Sequence, residues 1–318
     1  MFLKKGRGKV TGAHRKKRFH KEDLPLYVMA SPTVVWLIVF CYAPILGLVM
    51  AFQDLNITLG ILGSPYVGLK NFKFLFTTTD AWVITRNTVC YNLVFILMNM
   101  VLAVLMALLL SELRSRIAAK SLQTIYMLPY FLSWAVVAII LSAFLDRDYG
   151  LVNRIMMALG KQSGKVDYYT NRALWPPLLV AINAWKGVGY QTVLYLAVIS
   201  GISTEYYEAA VLDGANKRQQ AWYITIPHLR MVISISIIMA MGGIFRGDFG
   251  LFYVVTKNTG RLYPVTDVID TYIYRALTQL SNVGMATASG MYQSVVGLVM
   301  VLVVNAIVNR IDPDSAMF

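Results

Sequence analysis

The sequence predicts an all-α polytopic membrane protein with six transmembrane helices, and three observations support that class. Of its 318 residues, 57% are hydrophobic and 14% charged, with a mean hydropathy of +0.58, which excludes an ordinary soluble domain and a disordered chain. Apolar runs of about 20 residues or more recur along the chain, the length that crosses a hydrocarbon core. The net charge of +13 is uneven: nine of the 29 Lys and Arg (Lys4, Lys5, Arg7, Lys9, Arg15, Lys16, Lys17, Arg18 and Lys21) precede the first apolar run. A basic tail there sets topology first. No folded or aromatic-interleaved reader accompanies it, so no nucleic-acid partner is expected.

In chain order the predicted spans are 27–52, 82–110, 122–145, 177–200, 229–256 and 288–309. The first follows a long tail and exceeds the apolar region of a signal peptide, so it is expected to stay as an anchor. The charge of the tail places both termini in the cytoplasm. This gives a tail over 1–26, a transmembrane domain over 27–310 in contact with lipid, and a C-terminal tail over 311–318. The connections 53–81, 146–176 and 257–287 then lie outside, where they either dock a partner or simply cover the bundle.

Cys41 and Cys90 lie in apolar runs, and His14, His20 and His228 are scattered, so neither a disulfide framework nor a metal site is expected. Gly160-Lys-Gln-Ser-Gly164-Lys165-Val166 approaches a nucleotide-binding loop. It has three residues between its glycines instead of four, and Val where Ser or Thr must reach the metal. Any ATP hydrolysis therefore belongs to another polypeptide.

Between the fourth and fifth spans lies a long polar interruption, residues 203–227, STEYYEAAVLDGANKRQQAWYITIP. Ser203 or Thr204 suits a helix N-cap, with Glu205 and Glu208 in the opening turns, and Asp213-Gly214 suits a left-handed helix end. A second helix is expected from Asn216, stopping before Pro227 because proline disfavours helix in the residue it follows. On the predicted topology this hairpin faces the cytoplasm.

Its spacing resembles the Glu-Ala-Ala loop of ABC importer permeases. Glu208-Ala209-Ala210 is followed by Gly214, then by Ile224 and Ile226-Pro227, with Ile226 standing where the family has Leu. The resemblance implies a type I importer permease fold in a bacterial cytoplasmic (inner) membrane. It implies a coupling helix whose Glu208, Ala209, Ala210, Asp213, Gly214, Ile224 and Pro227 engage a separate ATPase. The implied partners are a second homologous permease, two ATP-binding subunits carrying ATP and Mg, and an extracellular or periplasmic sugar-binding protein; no cofactor is expected on this chain. Leu128-Pro-Tyr-Phe-Leu-Ser-Trp134, Ala184-Trp-Lys-Gly-Val-Gly189, Leu194-Tyr-Leu-Ala197, Asp267-Val-Ile-Asp-Thr-Tyr-Ile-Tyr-Arg275 and Ser294-Val-Val-Gly297 look like the carbohydrate branch grouped with LplB, which imports oligo- and polysaccharides.

Ionisable groups inside spans default to functional hypotheses. Lys186 lies about 14 Å below the outer boundary of the fourth span, and Arg246 and Asp248 about 12–15 Å down the fifth, at 1.5 Å per residue. Two readings stand. In one, Asn183, Lys186, Tyr190, Gln191, Tyr195, Arg246, Asp248, Phe249 and Tyr253 line a sugar path, beside a helix broken by Gly242, Gly243, Gly247 and Gly250. In the other, Lys186 or Arg246 merely pairs with Asp248. Alternatives to a saccharide permease are an ABC permease for another solute such as a peptide, and an ion-coupled secondary carrier working alone. A membrane enzyme lacks a nucleophile–base or metal constellation.

Overall fold

The computed structural model describes residues 24–160, 165–279, 281–313 and 316–317. The chain divides into two compact units, Met1–Val49 and Met50–Phe318. Most of the basic tail and four residues of the near-nucleotide loop lie outside the described residues, as does part of the C-terminal tail.

Helix α1, Leu24–Phe52, is long and apolar enough to cross a membrane. None of its residues over Leu24–Leu37 is buried in the chain itself. Pro32 deprives the Val28 carbonyl of its helical donor, and the Ser31 hydroxyl supplies one at 2.9 Å.

The second unit is a helical bundle; among the described residues the only β pairing is the single bridge Gln53–Tyr66. Its axis is α2, Thr79–Ser111, 33 residues long and capped by Thr78, whose side chain accepts from the Ala81 N–H. Then come α3 (Arg116–Met127), α4 (Trp134–Leu145), α5 (Leu151–Ala158) and α6 (Trp175–Ser200). The remainder is α7 (Thr204–Leu212), α8 (Lys217–Gly242), α9 (Ile269–Thr278) and α10 (Val283–Ile311).

Three expectations are corrected. The predicted span 122–145 is two pieces, Arg116–Phe131 and Trp134–Leu145, bent by 97°. Pro129 removes a backbone donor, Leu132 is extended, and Ser133 caps a new helix by accepting from Val136 N–H at 3.3 Å. The predicted span 229–256 is helical only as far as Gly242; an irregular segment follows before the π-helical turn Gly250–Val255. Finally, the second helix of the hairpin does not stop before Pro227. It runs from Lys217 to Gly242 through a π-helical turn over Ala221–Thr225, whose wider bore accommodates the missing proline N–H.

Among the described residues four helices are long and apolar enough to cross a membrane, or five if the bent pair is one span. Helix α6 is 26 residues long, but it carries Asn183, Lys186, Tyr190 and Gln191 in its middle. Polar side chains there dilute its hydropathy below that of its neighbours.

Small residues let the helices close up. Tyr91, Phe95, Trp175, Leu179, Ile182, Phe252 and Val255 form one core, and Ala103, Ala107, Tyr195, Ile199 and Leu229 a second. Trp175 is fully buried, and its indole N–H donates to the Tyr168 carbonyl at 3.0 Å. At the N-terminal end of α2, Asn87 Nδ2 donates to Asp267 O at 3.0 Å, Thr88 Oγ accepts from Ile269 N–H at 3.0 Å, and Tyr91 OH donates to Val265 O at 2.7 Å. A buried Arg275–Asp267 ion pair completes this end, with the Arg275 guanidinium 4.2 Å from the Tyr263 ring centroid. Where α4 ends, the N–H groups of Tyr149 and Asp148 hold the Asp146 carboxyl below the ordinary carboxylate range.

Gly189 marks a close approach of backbones: a Cβ there would sit 1.9 Å from the Tyr126 carbonyl oxygen. Gly189→Ala is expected to cost about 1–3 kcal/mol by overpacking. Gly290→Ala, whose Cβ would meet nothing within 4 Å, serves as the control. Thermal unfolding in detergent checks this: a lowered midpoint for Gly189→Ala alone is expected, and equal midpoints would contradict the contact.

Candidate functional site

Two interrupted spans face each other across a polar cavity. A helix broken at membrane depth must find new partners for its backbone groups, since lipid offers none. At the α3–α4 bend that partner is Lys186. Its ammonium donates to the carbonyls of Tyr130 and Leu132, both at 2.7 Å, and of Pro129 at 3.4 Å. The same cation lies 5.2 Å from the Trp134 ring and 5.6 Å from the Tyr130 ring.

After α8 the irregular segment is held by three side chains from other helices. Asn92 of α2 donates to Ile244 O at 2.8 Å and Arg246 O at 2.9 Å. Gln293 of α10 donates to Phe245 O at 2.6 Å and to Asp270 Oδ2 at 3.0 Å. Asp270 of α9 in turn accepts from Gly247 N–H at 2.5 Å. Asp248 then restarts helical structure by accepting from Gly250 N–H at 3.0 Å and Leu251 N–H at 3.2 Å.

Between these breaks lie two chambers. The first, of about 390 Å³, is lined by Asn99, Asn183, Gln191, Tyr195, Arg246 and Asp248 among others; the second, of about 420 Å³, by Asn99, Tyr130, Trp134, Asn183, Lys186 and Asp248. Asn99, Asn183 and Asp248 belong to both. Asn99 Nδ2 donates to Asn183 Oδ1 at 2.8 Å, and Asn99 Oδ1 is buried without a hydrogen-bond partner.

Of the nine residues expected on a path, six line these chambers: Asn183, Lys186, Gln191, Tyr195, Arg246 and Asp248. Tyr190 stands beside them, its ring stacked on Tyr130 with centroids 4.7 Å apart. Phe249 and Tyr253 line neither chamber and pack on Tyr274, with centroids 4.8 and 5.0 Å away. Among the described residues neither Lys186 nor Arg246 forms an ion pair with Asp248. Sequence reasoning missed Asn92, Asn99, Asp270 and Gln293. A polar residue inside an apolar run was the available signal for Asn92, Asn99 and Gln293.

The hairpin is the other candidate site. Ser203 caps α7, accepting from Glu205 N–H at 3.3 Å. Gly214 ends it at φ +81°, which only glycine adopts without strain, and Ala215 N–H returns to Ala210 O at 2.8 Å. Asn216 and Gln219 then form a reciprocal capping box at the start of α8. Glu208, Ala209, Asp213, Gly214 and Pro227 are exposed, whereas Ala210 and Ile224 are half-buried. Val211 and Leu212 also face outward, Leu212 being 88% exposed. Tyr207 OH and Thr225 Oγ, 3.0 Å apart, join α7 to the π-helical turn, and Lys217 Nζ pairs with Glu112 Oε2 at 3.0 Å beyond the end of α2.

Residues 99–313 match the family model described as "Binding-protein-dependent transport system inner membrane component". The chain belongs to this family. The matched region contains the second chamber, most of the first and the whole hairpin, and it bears out the family expectation drawn from residues 208–227. Among curated relatives, the chain is 33% identical over 290 residues to the polygalacturonan/rhamnogalacturonan transport system permease protein YteP of Bacillus subtilis (strain 168), covering 91% of this chain and 89% of that one. It is 31% identical over 296 residues to Protein LplB of the same organism, covering 93% and 92%. A chain in the crystal structure of a bacterial ABC transporter involved in the import of the acidic polysaccharide alginate superposes with a TM-score of 0.83 at 32% identity, covering 92% of this chain and 97% of that one. This inner-membrane component is therefore a multi-pass ABC-transporter permease by family and by fold.

Removing the Lys186 ammonium leaves three carbonyls at the bend without that donor. Lys186→Met is expected to destabilise the protein by about 1–3 kcal/mol. It should also speed amide hydrogen exchange in the peptides around residues 129–137. Unchanged exchange and an unchanged thermal midpoint would show that Lys186 does not hold the bend.

Proposed function

We propose that this chain is one of two homologous permease subunits in an ATP-driven importer of oligo- or polysaccharides. The observation that carries the reading is similarity over about nine-tenths of the chain to YteP and to the alginate-transporter chain, which are both named for polysaccharide transport. In this reading α1, α2, the bent pair α3–α4, α6, α8 with its continuation to Val255, and α10 form six spans, with both termini cytoplasmic. An extracellular or periplasmic binding protein delivers the saccharide. Two ATPase subunits, which carry ATP and Mg, close beneath the hairpin.

The hairpin suits a transmission role on physical grounds. Its exposed Val211 and Leu212 offer apolar surface, small Ala209 allows close approach to a groove, and Glu208 offers a carboxylate to a basic partner side chain. Asp213 and Gly214 set the turn, while Ile224 and Pro227 sit in the first part of α8, along which movement would travel. The chambers suit a hydroxyl-rich cargo because amides, charged groups and aromatic faces line them beside their apolar walls. Asn183, Gln191, Tyr195, Arg246 and Asp248 would meet it directly, Tyr190 and Lys186 would shape the wall, and Phe249 and Tyr253 would support the re-entry turn. Closure of the ATPases and docking of the binding protein then bias a two-state pore from its two ends.

Two substitutions test the transmission in proteoliposomes containing the complete transporter. Glu208→Lys reverses the offered charge, and Gly214→Pro forbids the +81° φ of the turn. Each is expected to lower ATP-dependent saccharide uptake by about tenfold or more, equivalent to 1.4 kcal/mol or more of lost coupling. ATPase association is measured alongside, and membrane insertion should be unaffected. Normal uptake by both variants would remove the hairpin from the coupling path.

A further inference from the structure

The first chamber contains a charge that its surroundings leave unanswered. Arg246 lines it from the irregular segment between α8 and the turn Gly250–Val255. Among the described residues its guanidinium has no ion-pair partner and makes no side-chain hydrogen bond. Asp270 lies near enough to feel its charge, but the hydrogen bonds of the surrounding carboxylates go to other groups. Asp248 Oδ1 accepts from two backbone N–H groups, and Asp270 Oδ2 accepts from Gly247 N–H and Gln293. The other cation of this layer, Lys186, gives its ammonium to three carbonyls.

A guanidinium holds five donors in a planar fork and keeps its charge at every physiological pH. At membrane depth such a group is costly unless it is paired or lines a polar path. Its backbone is fixed on both sides: Arg246 O accepts from Asn92 at 2.9 Å, and the next amide, Gly247 N–H, is bound by Asp270. The fork is therefore presented from an anchored point. On the same chamber Asn99, 9% exposed, has spent its N–H on Asn183 and retains Oδ1 as a buried acceptor without a donor. A planar fork of donors matches the carboxylate of a uronate ring.

We propose that Arg246 reads the carboxylate of an anionic, uronate-containing saccharide in the transport path. This rests on the saccharide-permease reading above and adds the cargo's charge and the residue that recognises it. Lys186 has no part in that recognition; its charge serves the α3–α4 bend.

The test is uptake by the complete transporter with its binding protein in proteoliposomes, using trigalacturonate and galactotriose, which differ in carboxylate against hydroxymethyl at C6. Wild type is expected to import trigalacturonate. Arg246→Gln should lower that uptake at subsaturating concentration about tenfold or more, the scale of a lost charge-assisted contact. The thermal midpoint should not change, and Arg246→Lys should recover part of the uptake because it keeps the charge. Undiminished uptake by Arg246→Gln would overturn the proposal. So would an equal loss in Arg246→Gln and Arg246→Lys with a lowered midpoint, the mark of a structural pair with the second permease. Import of galactotriose but not trigalacturonate by wild type would overturn the anionic assignment and leave the saccharide reading standing. Import of neither, with ATP still hydrolysed, would overturn the reading beneath it.

Discussion

Hydrocarbon offers no hydrogen bonds, so a helix broken within a membrane survives only where other side chains take over its backbone groups. This protein breaks two of its predicted spans and meets that constraint twice. One lysine on α6 gathers the carbonyls at the α3–α4 bend. An amide on α2, a second on α10 and a carboxylate on α9 hold the segment after α8. Because each brace comes from a different helix, the breaks also tie the bundle together. The polar cavity is the space left between the two braced breaks.

The same arrangement links the cavity to the hairpin. Helix α6, which carries Asn183, Lys186 and Gln191, ends at Ser200, three residues before α7 starts at Thr204. Helix α8 leaves the hairpin at Lys217 and ends at Gly242, just before the braced segment bearing Arg246 and Asp248. Both arms of the hairpin therefore run directly into elements that line the chambers. In the proposed coupling role, movement at the hairpin would reach the cavity along these two helices, with only the short link 201–203 between α6 and α7. Lys186 extends this on the α6 side, because shifting α6 moves the donor on which the α3–α4 bend depends.

Much of this was legible in the chain. Long apolar runs marked the four helices long enough to cross a membrane among the described residues, because burial in lipid demands length and little else, and the cap, glycine and spacing signals of residues 203–227 act locally. The breaks were less legible. The run 122–145 stays apolar straight across its bend, and Pro129 alone hints at it. Pro227 pointed to a helix end, yet a π-helical turn absorbed it. The braces were hidden by distance: Asn92 lies 152 residues from Ile244, Gln293 48 from Phe245, and Asp270 23 from Gly247. No periodicity relates such partners. Lys186 was recognised as a costly intramembrane charge, but its acceptors are backbone carbonyls, which a search for opposite charges cannot find.

An inner-membrane component with no usable nucleotide loop of its own needs a separate motor if ATP drives it, whereas a carrier working alone needs only an ion gradient. The direct measurement is saccharide uptake into proteoliposomes holding the permease pair, with and without the ATPase subunits, under ATP or under an imposed ion gradient. Uptake is expected only with ATPase, ATP and loaded binding protein together. Gradient-driven uptake by the permease in the absence of the ATPase would contradict the importer mechanism.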